Sequence, residues 1–289
     1  LPDELKADQT FPKTFDLVDL QSPVKSQGSR GVCSIFSTVA LMEHLYIKKG
    51  AEIPDFSENF LQWSVKSELG RFKDTYGSNG SANISAINRF GIVEERVHPY
   101  EAFKWTDTHD ERCSKDSDEK PIQCFTNGDP SEEVLEAKRW TLPPSRWISS
   151  TVQNLKAFMH DNNTGVVVGM TFFYQSWNHR KSALPVSAEY KRKGYILYPN
   201  EEDKEESLKK SAGHSILIVG WDDELEVPVL NAKGEPVLDE EGEPVVERGF
   251  FLFKNSWGKS AFGTQNPFGP GYGWLSMRYV REYGRTVSA

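Results

Sequence analysis

The chain has 289 residues, 37% of them hydrophobic and 26% charged, with a formal net charge of −8. That length supports one large domain or two lobes around a sizeable core, and the acidic balance without a basic patch argues against a nucleic-acid partner. No apolar run approaches the roughly 18–20 residues of a membrane span, and the opening LPDELKADQT is not that of a signal peptide, so the expectation is a chain without one or one already processed.

Taken in chain order, the first strong signal is QGSRGVCSIFSTVALMEHLYI, Gln27 to Ile47. Gly28 and Gly31 bracket a tight approach with few side chains. From Ile35 onward, Val39, Met42 and Leu45 repeat at helical spacing, with Phe36, Ala40 and Leu41 beside them, and Gly50 reads as the stop. Cys33 is therefore expected in the first turn of a buried helix. Unpaired N–H groups and the helix dipole favour negative charge there, and a thiol so placed beside an imidazolium has its pKa drawn well below the usual value near ~8.5. Burial as a small core hydrophobe is the competing reading of a cysteine in a helix. The next run, SENFLQWSVKSEL, reads as a helix capped by Ser57 and ending at Gly70. GSNGSANISAINRFG reads as a glycine-rich loop entering a short helix with Ile84 and Ile87 inward.

Cys113 and Cys124 lie in one polar stretch, CSKDSDEKPIQC. They either close a small disulfide loop, which implies an oxidising compartment, or stand as two free thiols. His109 with these two cysteines matches no metal-ligand spacing, so no metal site and no cofactor are expected. Cys33 is the odd cysteine and merits a reactivity hypothesis.

Beyond this point the pattern changes. SSTVQNLKAFMHD is one more amphipathic helix, and then TGVVVGMTFF, GHSILIVGW, GFFLFKNSW and GYGWLSMRYV read as strands rich in β-branched and aromatic residues. The charge run NEEDKEESLKK, 200–210, reads as a solvated loop. Residues 227–247 repeat Gly-Glu-Pro-Val at Gly234 and Gly242 and read as a β-hairpin or three-stranded arm. The expected class is α+β in two lobes: a mainly helical lobe over 1–125, and a mainly β lobe over 126–289 with the inserted arm at 224–248.

Among six histidines, His214 opens an apolar strand and is placed to face a cleft; His44, His98, His109, His160 and His179 read as surface or structural. Antiparallel pairing across the arm, with His214 opposite Asn255 and Gly220 opposite Gly249, lets Asn255 orient one imidazole nitrogen and leaves the other for a nucleophile. Trp257 follows closely and would shield the pair from water. At about 3.3 Å per residue, six residues already span roughly 20 Å, which sets the arm far from the chemistry and suggests packing or partner contact through 227–247.

Together, QGSRGVCSIFS, GHSILIVGW, FKNSWG and GYGW resemble the papain-like cysteine peptidases, the cathepsins and their bacterial relatives. FSENFL, GSNGSAN and VHPYEA match further motifs in order, so the resemblance runs from about Phe15 to Tyr279. It implies a helical lobe and an antiparallel β-barrel-like lobe with a cleft between them, and hydrolysis of protein or peptide substrates through an acyl-enzyme. By motif match, Cys33 is the nucleophile, His214 the base and acid, Asn255 the orienter and Gln27 the side-chain donor of the oxyanion hole, with the Cys33 amide as the second donor. Asn79, Gly80 and Ser81 match a wall that pairs with extended substrate, faced by Gly213, with Trp257 alongside.

The departures carry information too. Arg30 and Ser78 stand where the family usually has a disulfide pair, so both ends are lost together. Ser64 replaces the usual partner of Cys113, which supports a Cys113–Cys124 bridge. Ser34 replaces an aromatic, and Ser81 a glycine whose loss would narrow the cleft. A secreted, periplasmic or lysosome-like setting fits the family. The alternative is a papain-like module impaired in turnover that binds partners through the 227–247 arm. Asn79, Asn83 and Asn162 each open an Asn-x-Ser/Thr sequence, relevant only to a chain secreted by a eukaryote.

Overall fold

The structure, a computed structural model, describes residues 9–289. Most of the opening stretch read above for signal character, up to Asp8, lies outside the described residues. Strand β1 (Thr14–Asp16) precedes helices α1 (Cys33–Lys48), α2 (Glu58–Ser67) and α3 (Gly80–Phe90). Short helices α4 (Gln123–Thr126) and α5 (Glu132–Glu136) follow, then β2 (Arg146–Ile148), α6 (Val152–Asn162) and β3 (Val166–Thr171). The chain continues through α7 (Ala188–Lys193), β4 (Tyr195–Ile196), α8 (Glu201–Leu208), β5 (Gly213–Pro228) and β6 (Val246–Lys254). It ends with β7 (Tyr272–Ser276), α9 (Met277–Tyr283) and β8 (Gly284–Ser288).

Helices α2 and α3 begin where the sequence supplies caps, whereas α1 follows Val32 with no side-chain cap. Ser57 accepts a hydrogen bond from Phe60 N at the start of α2, and Asn79 from Ala82 N at the start of α3. Ile84 and Ile87 of α3 are fully buried, as their spacing predicts. Gly28 has φ +60, and a Cβ there would lie 2.4 Å from Ala102 O, so this turn requires glycine. Gly31 has no such need: its Cβ would make only ordinary contact with Tyr76.

The strands form one sheet in the order β2-β8-β3-β5-β6-β7-β4, with β1 added to β5. It is antiparallel except for the β4–β7 pair. The two ends of this order do not meet, so the sheet is open rather than the barrel-like closure expected. Alternation along β5 explains its continuous apolar run. Leu217 and Val219 pack into the core shared with α1, α2 and α3, while Ile216 and Ile218 pack into a second core with Leu155 of α6 and Tyr279 of α9.

Three expectations are corrected. First, Leu217 lies opposite Lys254, Ile218 opposite Phe253 and Gly220 opposite Leu252, so the ladder is offset from the one that pairs His214 with Asn255 and Gly220 with Gly249. Irregularities between Ile218 and Gly220 and between Asp222 and Glu226 shift it further, and assuming a ladder without bulges hid them. Beside His214 the offset is two residues, which preserves the face, so Asn255 becomes the diagonal neighbour of His214. Second, residues 201–208 are helical. Asn200 caps α8 by accepting from Asp203 N, Glu201, Glu202 and Asp203 occupy its first turn, and Lys204 pairs with Glu201 at 2.6 Å. Buried Asp203 then accepts from Gln175 N and Ser176 N. Third, the last strand-like run stops at Ser276, whose hydroxyl caps α9.

In the arm, Val229 N donates to Val245 O, Val237 N to Val229 O and Val245 N to Val237 O. Pro228-Val229, Pro236-Val237 and Pro244-Val245 therefore close a ring of three main-chain bonds. The repeat has three copies. The first lacks the Gly-Glu prefix, which conceals it in the sequence.

Candidate active site

Cys33 is the first residue of α1, preceded by Val32 at the cap position. One turn on, Ser37 Oγ lies 2.7 Å from Ser215 Oγ, and Ser215 directly follows His214 at the start of β5. This contact fastens the start of the helix to the start of the strand. Cys33 and His214 both line one groove of about 960 Å³, and so do Asn79, Gly80, Ser81 and Gly213. Gly80 is needed here: a Cβ would come within 2.8 Å of Val287 and 2.9 Å of Val167.

Gln27, Asn255 and Trp257 are not among the residues lining that groove. They stand behind or beside it. His214 Nε2 lies 2.9 Å from Asn255 Oδ1. The same Oδ1 accepts from Ser256 N at 2.9 Å, which fixes the amide orientation because a main-chain N–H can only donate. The imidazole proton therefore sits on Nε2, and Nδ1 is left as the acceptor. Trp257 stacks on the imidazole with centroids 4.8 Å apart, and Trp177 meets it edge-on at 4.9 Å. No hydrogen bond joins Cys33 Sγ to the imidazole in this geometry; catalytic bonds are commonly long outside the reacting complex.

Gln27 is held at every polar group. Its main-chain N–H donates to Ser256 O, its carbonyl accepts from Tyr100 OH, its Oε1 accepts from Ser256 Oγ at 2.7 Å, and its Nε2 donates to Arg30 O at 2.9 Å. One Nε2 hydrogen remains available.

Burial dominates the titration of both Cys33 and His214. Cys33 keeps part of its surface open, yet the surrounding protein pushes its thiol up, opposed by hydrogen bonds from the main chain of Ser215 and Ser34. His214 is held down at about 4 by burial, opposed by the Asn255 hydrogen bond and reinforced by nearby His179. Both shifts favour the neutral pair. What favours charge is the helix terminus and the attraction that appears once a proton has crossed from sulfur to nitrogen.

Arg30 is the neighbour of the site that motif reading could locate but not explain. Its side chain is buried: Nη1 donates to Asn59 Oδ1 at 2.6 Å and to Glu101 O at 2.9 Å, and Nη2 to Phe125 O. Ser78 instead bonds Ser34, with hydroxyls 2.8 Å apart. Cys113 and Cys124 are joined by a disulfide, so neither offers a thiolate to a metal. No helix among the described residues is long and apolar enough to cross a membrane.

The model of the papain family cysteine proteases matches residues 11–268. A rat (Rattus norvegicus) protein named Cathepsin 7 is 35% identical over 107 residues, which are 34% of this chain and 30% of that protein. Among solved structures, Xylellain, a cysteine protease from Xylella fastidiosa, superposes with a TM-score of 0.62 at 19% identity, over 96% of this chain and 85% of that one. Digestive procathepsin L2 proteinase from Tenebrio molitor larval midgut gives 0.55 at 20% identity, over 98% and 70%. At such identities these likenesses are of fold. With the family's pattern running through nearly the whole chain, this protein belongs to the papain family of cysteine proteases.

Proposed function

We propose that this chain is a cysteine peptidase that cleaves peptide bonds through Cys33, His214 and Asn255. The observation that carries this reading is one juxtaposition: Cys33, at the start of α1, and His214, held through Nε2 by Asn255, line the same groove. His214 Nδ1 takes the thiol proton, and Cys33 Sγ attacks the peptide carbonyl. The remaining Gln27 Nε2 hydrogen and the Cys33 amide stabilise the resulting oxyanion. As the C–N bond breaks, the imidazolium gives its proton to the departing amine, leaving a thioester. Water then adds with His214 as base, the S–C bond breaks, and the acid product leaves with the thiol restored.

The division into a helical part over 1–125 and a sheet part over 126–289 is part of the same proposal, supported by the placement of α1–α3 before residue 91 and qualified by β1, which joins the sheet. An oxidising compartment is supported by the Cys113–Cys124 bridge. The test is digestion of a diverse peptide mixture followed by mass spectrometry. New termini should appear with the wild-type chain and be absent with Cys33→Ala. Equal product from both would overturn the reading, as would none from either when the wild type is folded.

A further inference from the structure

The groove carries an electrostatic signature that catalysis does not require. Three charged side chains line it, Arg71, Arg89 and Arg285, and no Asp or Glu among the described residues does. This holds in a chain whose net charge is −8. None of the three forms an ion pair with a described acidic residue, whereas many of the chain's other surface cations do, as Lys193 does with Glu189 and Arg278 with Glu282.

The three come from separate elements. Arg71 follows α2, Arg89 lies in the last turn of α3, and Arg285 lies on β8 opposite Gly169 of β3. Gly169 is one residue from Met170, the ladder partner of His214. A side chain built at Gly169 would meet nothing within 4 Å, so the backbone fronts open space beside Arg285. Val167 and Val287 close against Gly80 to give that space an apolar floor, and Trp147, 71% exposed, lines the groove from β2. An apolar floor under a guanidinium rim suits a side chain with a short aliphatic stem and a terminal carboxylate, which arginine engages through two parallel N–H donors.

Resting on the peptidase reading above, we propose that Arg71, Arg89 and Arg285 select substrates with glutamate or aspartate in the segment that stays attached to Cys33 as the acyl group. The leaving amine is protonated by His214, so the leaving segment departs past the imidazole and Trp257; the wall of Asn79, Gly80 and Ser81, which lines the same groove as the arginines, receives the acyl segment.

The experiment uses matched peptides carrying a single Glu, or its uncharged isostere Gln, at each of the three positions on the acyl side of the scissile bond, plus a phosphoserine set. Cleavage is read as kcat/KM in the wild type, and binding as Kd by fluorescence anisotropy on Cys33→Ala. The expected result is a ten- to hundredfold preference for Glu over Gln at one position or more in both readouts. It should shrink as salt is raised from about 0.05 to about 0.5 M, because exposed charges are screened. In the triple variant Arg71→Gln, Arg89→Gln, Arg285→Gln the Glu:Gln ratio should fall to about one, with ordinary alkylation of Cys33 confirming an intact fold. A ratio near one in the wild type in both readouts, a ratio that survives the triple variant, or a preference confined to phosphoserine overturns the proposal. Cleavage without acid preference defeats this inference alone. Acid-selective binding without any cleavage supports it and defeats the peptidase reading.

Discussion

At the scale of the residue, the site depends on hydrogen-bond geometry that motif spacing can only point toward. Gln27 is the sharpest case. The sequence places it six residues before Cys33, but what fixes its side-chain amide is Ser256 on Oε1 and Arg30 O on Nε2, while Tyr100 anchors its main-chain carbonyl. Substituting Gln27→Leu removes the proposed side-chain donor to the oxyanion, so kcat/KM should fall by about 10²–10³. The rate of Cys33 alkylation by a small neutral reagent should hold, since alkylation forms no oxyanion; a parallel fall in both would show that Gln27 acts on the loop rather than on the intermediate. Cys33, His214 and Asn255, the residues proposed as nucleophile, base and orienter, could be singled out from the sequence because each stands at the start of a helix or at the end of a strand in a glycine-marked setting. Arg30 was readable only as a missing cysteine. A buried guanidinium spanning Asn59, Glu101 and Phe125 requires partners from three distant segments, and no local pattern announces them.

At the scale of the element, α1 and β5 position the site, and both were legible: α1 from its 3.6-residue period, β5 from an apolar run bounded by glycine. Register was less so, because a bulge leaves no trace in composition, and α8 was missed because caps and charge pairs rather than an apolar stripe stabilise it. His44 shows how tightly α1 is tied down. It is buried, with Nδ1 3.1 Å from Leu20 O and Nε2 accepting from Gly165 N at 3.3 Å, just before β3. Burial, chiefly, holds its pKa at about 4, below the ordinary 6.5. Between those values the unfolded chain takes up a proton that the folded chain refuses, so stability should fall as pH drops from about 6.5 toward 4. The loss by pH 4.5 is on the order of 2–3 kcal/mol from this group. Urea denaturation at pH 7 and 4.5 measures it, and His44→Gln should flatten that part of the slope. An unchanged slope would show that another group sets the acid limit.

At the scale of the whole molecule, the helices and the sheet meet along a seam that is polar as well as apolar. Lys25 reaches Glu43 at 2.8 Å, Asp55 at 2.6 Å and Glu58 at 2.9 Å, so three acidic side chains share one ammonium. Burial, opposed by Lys25 and reinforced by Glu43, pushes the Glu58 carboxyl up, while burial brings Lys254 down to about 8 on the sheet side, where its Nζ donates to Ser22 O. This seam reaches Asn255 at one end, where Ser215 lines both the seam and the groove. The proposed chemistry therefore requires a proton shared between sulfur on the helix and imidazole on the strand. The pH profile of Cys33 alkylation by iodoacetamide, in the wild type and in His214→Ala, tests that most directly. The wild type should react at pH 6 at least tenfold faster than the variant, with a rate that persists to acidic pH. The variant should rise late, as an ordinary buried thiol with its inflection at or above roughly 8.5. Superimposable profiles would contradict the account, because the imidazole would then have no hold on the sulfur.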